Sequence, residues 1–494
     1  MNKHNLSMLV DFYELTMGNG YLLHEYSEKT VYFDMFFRRI PDGGGYAIFA
    51  GLDQIIEHLK NLEFTDEDIE YLKNLEFTDE DIEYLRGKNM FSDKFLEYLK
   101  NFKFECDLWS VREGTPVFPN EPLITVKGPV IQVQLIETMI LLFVNHQSLI
   151  TTKASRIVRA AQGRPVIEYG SRRAQGGDGA VLGARAAYIA GCCGTACTMA
   201  DRDYSVPALG TMAHSWVQLF PTELEAFEAY AEAYPENCVF LVDTYNTLKS
   251  GVPNAVKVFE KLAEKGYRPG GIRIDSGDIA YLSKKARKIL DDAGFEDCKI
   301  TVSNSLDEYI IRDLLMQGAE IDRFGVGERL ITSKSEPVFG GVYKLVAVEE
   351  NGEILPKIKL SDNVTKITNP GYKKPVRLFC KETGMALADV ILLNDENIDD
   401  TKPYEIFDPE FTYKRKKLSN FTVKNLQIPV FKKGKCVYES PSIEEIREYS
   451  KTQLSLIWDE VKRFENPHKY YVDLSEKLWN MKQKLIRNVN WETL

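Results

Sequence analysis

The chain has 494 residues, 44% hydrophobic and 27% charged, a balance typical of a globular protein with about three domains. Its net charge of −11 argues against a nucleic-acid-binding surface, which needs a concentrated basic patch. Eight scattered cysteines, the lack of a signal-peptide pattern and the absence of any long apolar run predict a cytoplasmic protein with reduced thiols and no membrane contact.

The first predicted elements are a short helix from Asp11 and a strand over residues 31–39. A Pro41-Asp42-Gly43-Gly44-Gly45 turn follows the strand. Arg38, where the strand ends, is a candidate anion ligand, although arginines in this position more often lie on a solvated strand edge.

Residues 61–73 and 74–86 form an almost perfect tandem repeat, NLEFTDEDIEYLK followed by NLEFTDEDIEYLR. Two copies are too few for a solenoid, which needs at least about three. In each copy Thr65 or Thr78 can cap a short helix with an acidic first turn. We interpret the repeat as a local surface duplication within an N-terminal α+β sandwich domain, residues 1–135.

Between residues 134 and 161 apolar side chains recur at steps of three or four, which predicts a helix. Short β-rich runs then alternate with amphipathic helices. The predicted strands are 165–169, about 209–213, 239–243, 272–275, 300–303 and 323–326. This alternation predicts an α/β fold, an irregular or incomplete (β/α) barrel over residues 136–345, with its site on the carboxyl-end loops.

Residues 346–494 are first strand-rich and then helical, which predicts a C-terminal α+β domain. Ser442 followed three residues later by Glu445 is a capping-box signature for a helix that we expect to extend beyond Val461. The basic run at 414–417 is interpreted as a solvated face.

The strand at 272–275 ends in Ser276-Gly277-Asp278. Open backbone N–H groups, a hydroxyl and the carboxylates of Asp275 and Asp278 suit a phosphorylated sugar and its metal ion. The alternative is an ordinary loop in which Ser276 or Asp278 only caps the next helix. Other predicted strands have small or polar endings too: 170–173, 214–215, 243–246, 304–305 and 325–328.

His214 follows one of the predicted strands in a segment rich in small residues, Gly210 to Ser215. An imidazole can act near pH 7 as a base or as a nucleophile, including toward a phosphoryl group. The alternative is a histidine that bonds a neighbouring strand.

The sequence closely resembles the nicotinate phosphoribosyltransferases of the type II phosphoribosyltransferase family, most clearly from Asp11 to Val346. The matching segments are DFYELTM (11–17), FFRRIPDGGGYAIFAGL (36–52), EGTPVFPNEPL (113–123), EYGSRRAQ (168–175), GTMAHSW (210–216), VDTYNTLKSGV (242–252), GIRIDSGD (271–278) and FGVGERL (324–330).

This resemblance implies that nicotinate and 5-phosphoribosyl 1-pyrophosphate (PRPP) give nicotinate mononucleotide and pyrophosphate, a step of NAD biosynthesis and salvage. It also implies ATP and Mg²⁺ as cofactors, with transient phosphorylation of His214. A homodimer with shared active sites is implied as well, in which Tyr13 enters the partner's site and stacks on the pyridine ring.

The expected roles follow the matching motifs. Asp275, a catalytic candidate, and Asp278 would bond ribose hydroxyls or a Mg²⁺-bound water, and Arg273 would meet phosphate oxygens. Arg172 would hold the nicotinate carboxylate as a guanidinium fork, with Tyr169 beside the ring. The other expected substrate contacts are Ser276, Gly277, Asn304, Ser305, Gly325 and Gly327, most of them around the 5′-phosphate, and Arg38 near pyrophosphate or ATP. The metal ligands are left unassigned.

Several alternatives stay open. Nicotinamide-using relatives place an aspartate in the loop that resembles 194–198, where this chain has Ala196, which favours the acid over the amide. A quinolinate phosphoribosyltransferase would need more basic residues, and a Schiff-base aldolase a strand-end lysine that these loops lack. If His214 takes no part in chemistry, the protein is instead interpreted as a non-catalytic nucleotide-binding barrel.

Overall fold

The computed structural model describes residues 8–60, 78–361 and 366–488. They divide into two compact units, the first from residues 1–148 and 338–494 and the second from residues 149–337. Segments from both ends of the chain therefore share the first unit. The three-domain division at 1–135, 136–345 and 346–494 stays a prediction.

The N-terminal helices confirm the predicted helix at Asp11 and the long helix after residue 134. The strand predicted at 31–39 is present but ends at Phe37, so Arg38 lies just beyond it. Thr78 forms a full capping box with Asp81, which begins a helix in the second repeat copy, whereas the first copy lies outside the described residues. The elements are α1 (Phe12–Leu23), β1 (Thr30–Phe37), β2 (Ala47–Ile48), α2 (Leu52–Lys60), α3 (Asp79–Gly87), α4 (Asp93–Lys100), β3 (Asp107–Val111), β4 (Pro116–Val117), β5 (Ile124–Pro129), α5 (Val130–Leu135) and α6 (Glu137–Ala160).

The second unit alternates short buried strands with helices, which confirms the α/β class. Its elements are β6 (Val166–Glu168), α7 (Gly176–Ile189), β7 (Gly194–Thr195), α8 (Thr198–Tyr204), α9 (His214–Leu219), α10 (Glu223–Ala233), β8 (Val239–Leu241), α11 (Val252–Glu264), β9 (Gly271–Ile274), α12 (Ile279–Asp292), β10 (Ile300–Val302), α13 (Glu308–Met316), β11 (Arg323–Val326) and α14 (Glu328–Ile331).

These six strands form one sheet in the order β7-β6-β11-β10-β9-β8, and every pair is parallel. Within the described ranges the two end strands, β7 and β8, do not pair with each other, so the hydrogen bonding forms an open row. Because all six strands run the same way, their carboxyl ends and following loops share one edge.

The predicted strand at 209–213 is wrong. The strand of this region is β7, and only Ala208 of the later segment pairs with it, as an isolated bridge to Thr195. The neighbouring residues 207 and 209 bond Thr195 through Pro207 O and Leu209 N–H, and the chain then leaves the sheet. His214 therefore begins α9 and does not end a strand.

The remaining elements complete the first unit. They are β12 (Gly341–Glu350), β13 (Glu353–Pro356), β14 (Lys373–Cys380), β15 (Ala386–Leu393), β16 (Tyr404–Phe407), β17 (Arg415–Leu418), β18 (Phe421–Asn425), β19 (Gln427–Lys432), β20 (Lys435–Cys436), α15 (Ile443–Ser455), β21 (Val472–Leu474) and α16 (Glu476–Arg487). The capping box of Ser442 is confirmed, but the helix ends at Ser455, and Ile457 and Val461 are buried beyond it.

The larger sheet of this unit, β13-β12-β1-β5-β3-β19-β20, mixes strands from both ends of the chain. β1 lies between β5 and β12 and is antiparallel to both. A four-stranded sheet, β18-β14-β15-β21, is built only from C-terminal strands. The N-terminal sheet is therefore completed by residues that follow the parallel-sheet unit in the chain.

All eight cysteines are free in the structure, four of them buried and four half-buried. One helical stretch of the described chain, Val130–Ala160, has the length and composition to cross a membrane, and 72% of its most apolar window is buried in the fold. Burial of this extent is typical of a core helix. Arg415, Lys416 and Lys417 of the basic run are exposed, which agrees with a solvated face.

Candidate active site

His214 lies among oxygen atoms supplied by the loops after β8 and β9. Its Nδ1 is 3.1 Å from the Thr244 hydroxyl oxygen. Its Nε2 is 3.8 Å from Asp275 Oδ2 and 4.0 Å from Asp243 Oδ1. The His214 side chain is 39% exposed, so it remains accessible to a ligand while its nitrogens lie near these oxygen atoms.

Asp243 connects these loops from below. Its side chain is 1% exposed, and Oδ2 accepts hydrogen bonds from the Asp275 N–H at 2.9 Å and the Ser276 hydroxyl at 2.6 Å. Its Oδ1 is buried and has no hydrogen-bond partner within the described ranges. Asp243 and Thr244 had no role assigned from the sequence, where the available signal was a polar ending, Asp243 to Asn246, on a predicted buried strand.

Asp275 and Arg273 are held by hydroxyl groups that the sequence reading missed. Ser303 donates a hydrogen bond to Asp275 Oδ1, and the Arg273 guanidinium donates one to Thr211. Arg273 Nε is buried without a hydrogen-bond partner among the described residues. The two charged side chains are thus oriented before any substrate binds, which lowers the cost of ordering them.

Asp278 caps the following helix, as the alternative interpretation held. Its Oδ1 accepts a hydrogen bond from the Tyr281 N–H at 2.9 Å, at the start of α12. Gly277 beside it has φ of +81°, a conformation that favours glycine. Although both side chains make hydrogen bonds within the protein, Asp278 and Ser276 are exposed and remain accessible to a ligand.

Tyr169 packs against the β11 end of the same edge. Its backbone N–H donates to Val326 O at 2.8 Å. A Cβ at position 325 would lie 2.5 Å from the Tyr169 ring, so only glycine leaves the ring in place. Burial raises the pKa of the Tyr169 hydroxyl. The glycine at 325 is therefore needed for the position of the aromatic ring.

The loop after β10 has an unusual backbone. Asn304 and Ser305 are both exposed, with φ of +96° and +49°. Consecutive non-glycine residues in this region are strained, and such strain concentrates at functional sites. This is one of the two loops in which we predicted the 5′-phosphate contacts, and Gly327, in the other, lies at the β11 end of the edge.

Arg172 lies in a single 3₁₀ turn, Ser171–Arg173, directly after the loop of Tyr169. Its side chain is exposed and has no ion-pair partner within residues 8–60, 78–361 and 366–488. The neighbouring Arg173 instead reaches Glu328 at 4.0 Å. An exposed guanidinium without an ion-pair partner can bind a carboxylate as a planar fork.

Two predicted site residues belong to the other unit. Tyr13 is 43% exposed on α1. Arg38 directly follows β1 and lies over the Phe36 ring at 5.6 Å, and its Nε is buried with no hydrogen-bond partner in the described chain. Burial lowers the pKa of Arg38. The structure thus brings together the predicted residues of the parallel sheet, and Tyr13 and Arg38 are described only within their own unit.

The chain was compared with known proteins. The profile of the nicotinate phosphoribosyltransferase N-terminal domain matches residues 8–77 and 69–145, and that of the C-terminal domain matches residues 372–482. The nicotinate phosphoribosyltransferase of Bacillus subtilis is 44% identical over 485 residues, which cover 98% of this chain and 96% of that protein.

Human relatives agree in sequence and in fold. The nicotinate phosphoribosyltransferase of Homo sapiens is 31% identical over 528 residues, covering 95% of each chain. The crystal structure of human nicotinic acid phosphoribosyltransferase superposes with a TM-score of 0.81 at 29% identity, covering 96% of this chain and 99% of that one. With these matches over nearly its whole length, the chain belongs to the nicotinate phosphoribosyltransferase family.

Proposed function

We propose that the chain transfers the phosphoribosyl group of PRPP to nicotinate, giving nicotinate mononucleotide and pyrophosphate in NAD biosynthesis. The observation that carries this proposal is the arrangement of His214, Asp243 and Asp275 at the carboxyl edge of a parallel sheet, in a chain that belongs to this family. The amide alternative is disfavoured because Ala196 offers no carboxylate to accept from an NH₂ group.

We propose that ATP hydrolysis is coupled through His214. With its proton on Nδ1, the ring can donate to Thr244 and present the Nε2 lone pair to the γ-phosphorus of ATP. The Nε2–P bond forms as the bond to the ADP oxygen breaks, and water later cleaves the phosphohistidine to inorganic phosphate. Asp243 and Asp275 would stabilise the positive charge that the imidazole gains in the first step.

Displacement of pyrophosphate passes through an oxocarbenium-like state at the anomeric carbon of the ribose. The Asp275 carboxylate, fixed by Ser303, would stabilise this charge or hold the ribose hydroxyls together with Asp278. Arg273 would bind phosphate oxygens. The loop at 304–305 and the glycines at 325 and 327 would receive the 5′-phosphate, with Ser276 and Gly277 as further contacts.

On the pyridine side, Arg172 would pair with the nicotinate carboxylate and Tyr169 would lie against the ring. We further propose a homodimer in which Tyr13 of the partner subunit covers the other ring face, and Arg38 as a ligand of pyrophosphate or ATP. Because its eight cysteines are free and thiols persist in reducing compartments, we infer that the enzyme is cytoplasmic.

The site also fits Mg²⁺. The structure describes no cluster of three or more His, Cys, Asp or Glu side chains suited to a metal in the ranges it covers. Mg²⁺ at phosphoryl sites, however, usually takes only one or two carboxylates beside substrate phosphates and water. Asp243 Oδ1, which has no hydrogen-bond partner among the described residues, and the Asp275 carboxylate are donors of this kind. When bound, the ion would neutralise charge on pyrophosphate.

The test is an assay of pyrophosphate release from PRPP with nicotinate or nicotinamide, with and without ATP. We expect release with nicotinate, stimulated by ATP, and loss of ATP hydrolysis in His214→Ala. The exposed histidine variant His24→Ala is the control and should keep both activities. Turnover of nicotinamide alone would contradict the substrate assignment, and binding without turnover would favour a non-catalytic protein.

A further inference from the structure

One buried carboxylate joins the two loops that the proposed function places at the pyridine ring. Glu168, the last residue of β6, is fully buried at 0% exposure. Its Oε2 accepts a hydrogen bond from the Thr195 hydroxyl at 2.6 Å, and its Oε1 accepts one from the Gly170 N–H. Glu168 therefore holds the start of the turn that carries Arg172 and, across the sheet, the end of β7.

Thr195 continues this connection into the loop that contains Ala196. Its hydroxyl oxygen accepts a hydrogen bond from the Cys197 N–H at 3.0 Å while its proton goes to Glu168. The Ala196 N–H donates to the Glu168 carbonyl oxygen at 2.8 Å. Donated and accepted bonds of this one hydroxyl thus fix the backbone on both sides of Ala196.

Gly170 is the residue that allows the carboxylate to reach the turn. A Cβ at this position would lie 2.6 Å from Glu168 Oε1 and 2.5 Å from Ile331 Cβ. No side chain fits between these neighbours. The contact between the Glu168 carboxylate and the turn backbone therefore depends on glycine at 170.

We propose that Glu168 and Thr195 are positioning residues that set the selectivity between nicotinate and nicotinamide. By bonding both loops, they fix the separation between the Arg172 turn, which would bind the acid group, and Ala196, which offers the amide no acceptor. Neither side chain needs to touch the substrate. The inference rests on the proposed function and assigns a selectivity role to residues one layer behind the site.

The energetic basis is the cost of breaking a buried, charge-assisted hydrogen bond. Loss of one partner leaves the carboxylate unsatisfied, and the loops would shift to solvate it. A displacement of about 1 Å can change rates by about a hundredfold, so a small shift at Arg172 would also slow transfer to the acid.

The test compares Thr195→Val, Glu168→Gln, their double variant and Thr195→Ser. Binding of nicotinate and nicotinamide is measured by calorimetry, and turnover of both rings is measured with PRPP. We expect Thr195→Val and Glu168→Gln to raise Kd and KM for nicotinate about tenfold. The acid-to-amide ratio, which is the affinity or kcat/KM for nicotinate divided by that for nicotinamide, should fall by the same factor. KM for PRPP should stay within about twofold of the wild-type value. Thr195→Ser keeps the hydroxyl and should therefore keep the wild-type selectivity. The double variant should lose less than the sum of the two single variants, because both substitutions disturb the same Thr195–Glu168 hydrogen bond.

Ser283→Ala is the matched control. The Ser283 hydroxyl is buried on α12, donates to Ala280 O and accepts from the Glu320 N–H, so it has the same bonding pattern as Thr195. It should lower the melting temperature without changing the acid-to-amide ratio.

An unchanged acid-to-amide ratio in folded Thr195→Val and Glu168→Gln would overturn the inference. This holds whether the affinities for both rings stay the same or fall by the same factor. Wild-type chain that binds nicotinate without turnover would contradict the proposed function alone, because the Kd ratios would still test the positioning role. Wild-type chain that binds neither ring would overturn both.

Discussion

At the scale of single residues, the site depends on side chains fixed from beneath by buried groups. Asp243 orders the loop of Asp275 and Ser276, and Ser303 orients the Asp275 carboxylate. Preorganised polar groups of this kind stabilise developing charge without reorganising during the reaction. The site therefore consists of the exposed residues in the family motifs together with the buried residues that orient them.

Gly325→Ala tests how tightly the Tyr169 ring is placed. The new methyl group would fall 2.5 Å from the ring, so the ring must move. We expect kcat/KM for nicotinate to fall roughly tenfold or more, mostly through KM. Gly87→Ala is the control, because a Cβ there meets open space and its φ is not left-handed. Steady-state kinetics at fixed PRPP check the result, and a Gly325→Ala enzyme as active as wild type would contradict the placement of Tyr169.

At the scale of elements, helix α1 is docked through carboxyl groups. Glu14 is buried and accepts a hydrogen bond from the Thr138 hydroxyl at 2.6 Å, while its other oxygen has no partner in the described chain. Burial, with the nearby Glu137 carboxylate as a smaller cause, raises the pKa of Glu14 from 4.5 to about 7. The helix that carries Tyr13 is thus held best when Glu14 is protonated.

The sign of the resulting pH dependence follows from proton binding. Between about pH 4.5 and 7 the folded state holds the Glu14 proton more tightly than the unfolded state does, so the free energy of unfolding falls as pH rises. Glu14→Gln is neutral at every pH and should be more stable than wild type at pH 8, by up to about 2 kcal/mol, and equal to it at pH 4. Urea midpoints at both pH values measure this. The exposed Glu57→Gln should show no such difference, and a pH-independent gain in Glu14→Gln would contradict the assignment.

The tandem repeat belongs to the same scale. The N-terminal family profile matches twice, over 8–77 and 69–145, so the two matches overlap at the duplication. Deletion of residues 61–73 keeps the second copy, in which Thr78 caps α3. We expect the deletion protein to keep its melting temperature and its pyrophosphate release. Deletion of 74–86 instead leaves the same sequence except for Lys73 in place of Arg86, so it should behave alike. An insoluble or inactive deletion protein would show that the second copy is structural.

At the scale of the whole molecule, the proposed shared site of the homodimer can be tested by mixing subunits. Tyr13→Ala and His214→Ala each disable both sites of their own homodimer if Tyr13 acts on the partner. A mixed dimer then has one intact site and one doubly altered site. Subunits mixed in equal amounts and allowed to exchange should recover about a quarter of wild-type activity. Mixing each variant with itself is the control, and no recovery in mixtures shown by mass to contain mixed dimers would contradict action in trans.

The sequence by itself determined the features that depend on residues close together in the chain, such as single strands and the starts of helices. High β-propensity predicted β1, capping residues predicted the starts of α3 and α15, and the predicted strand endings located the loops of Asp275 and Tyr169. Their motifs also carried the family resemblance. Local periodicity could not show that helix α15 stops at Ser455, because the apolar spacing continues through the buried turns beyond it.

Only the tertiary structure decided which distant groups meet. β1 pairs with β12 more than 300 residues later, and the Lys373 side chain reaches Asp34 from a strand equally remote. The two-residue strand β7 and the hydrogen bonds of Asp243, Ser303 and Glu168 likewise leave no periodic pattern in the chain. The physical reason is that helices and caps depend on contacts within a few residues, whereas strand pairing and buried hydrogen bonds are fixed by the packing of segments that the sequence does not place side by side.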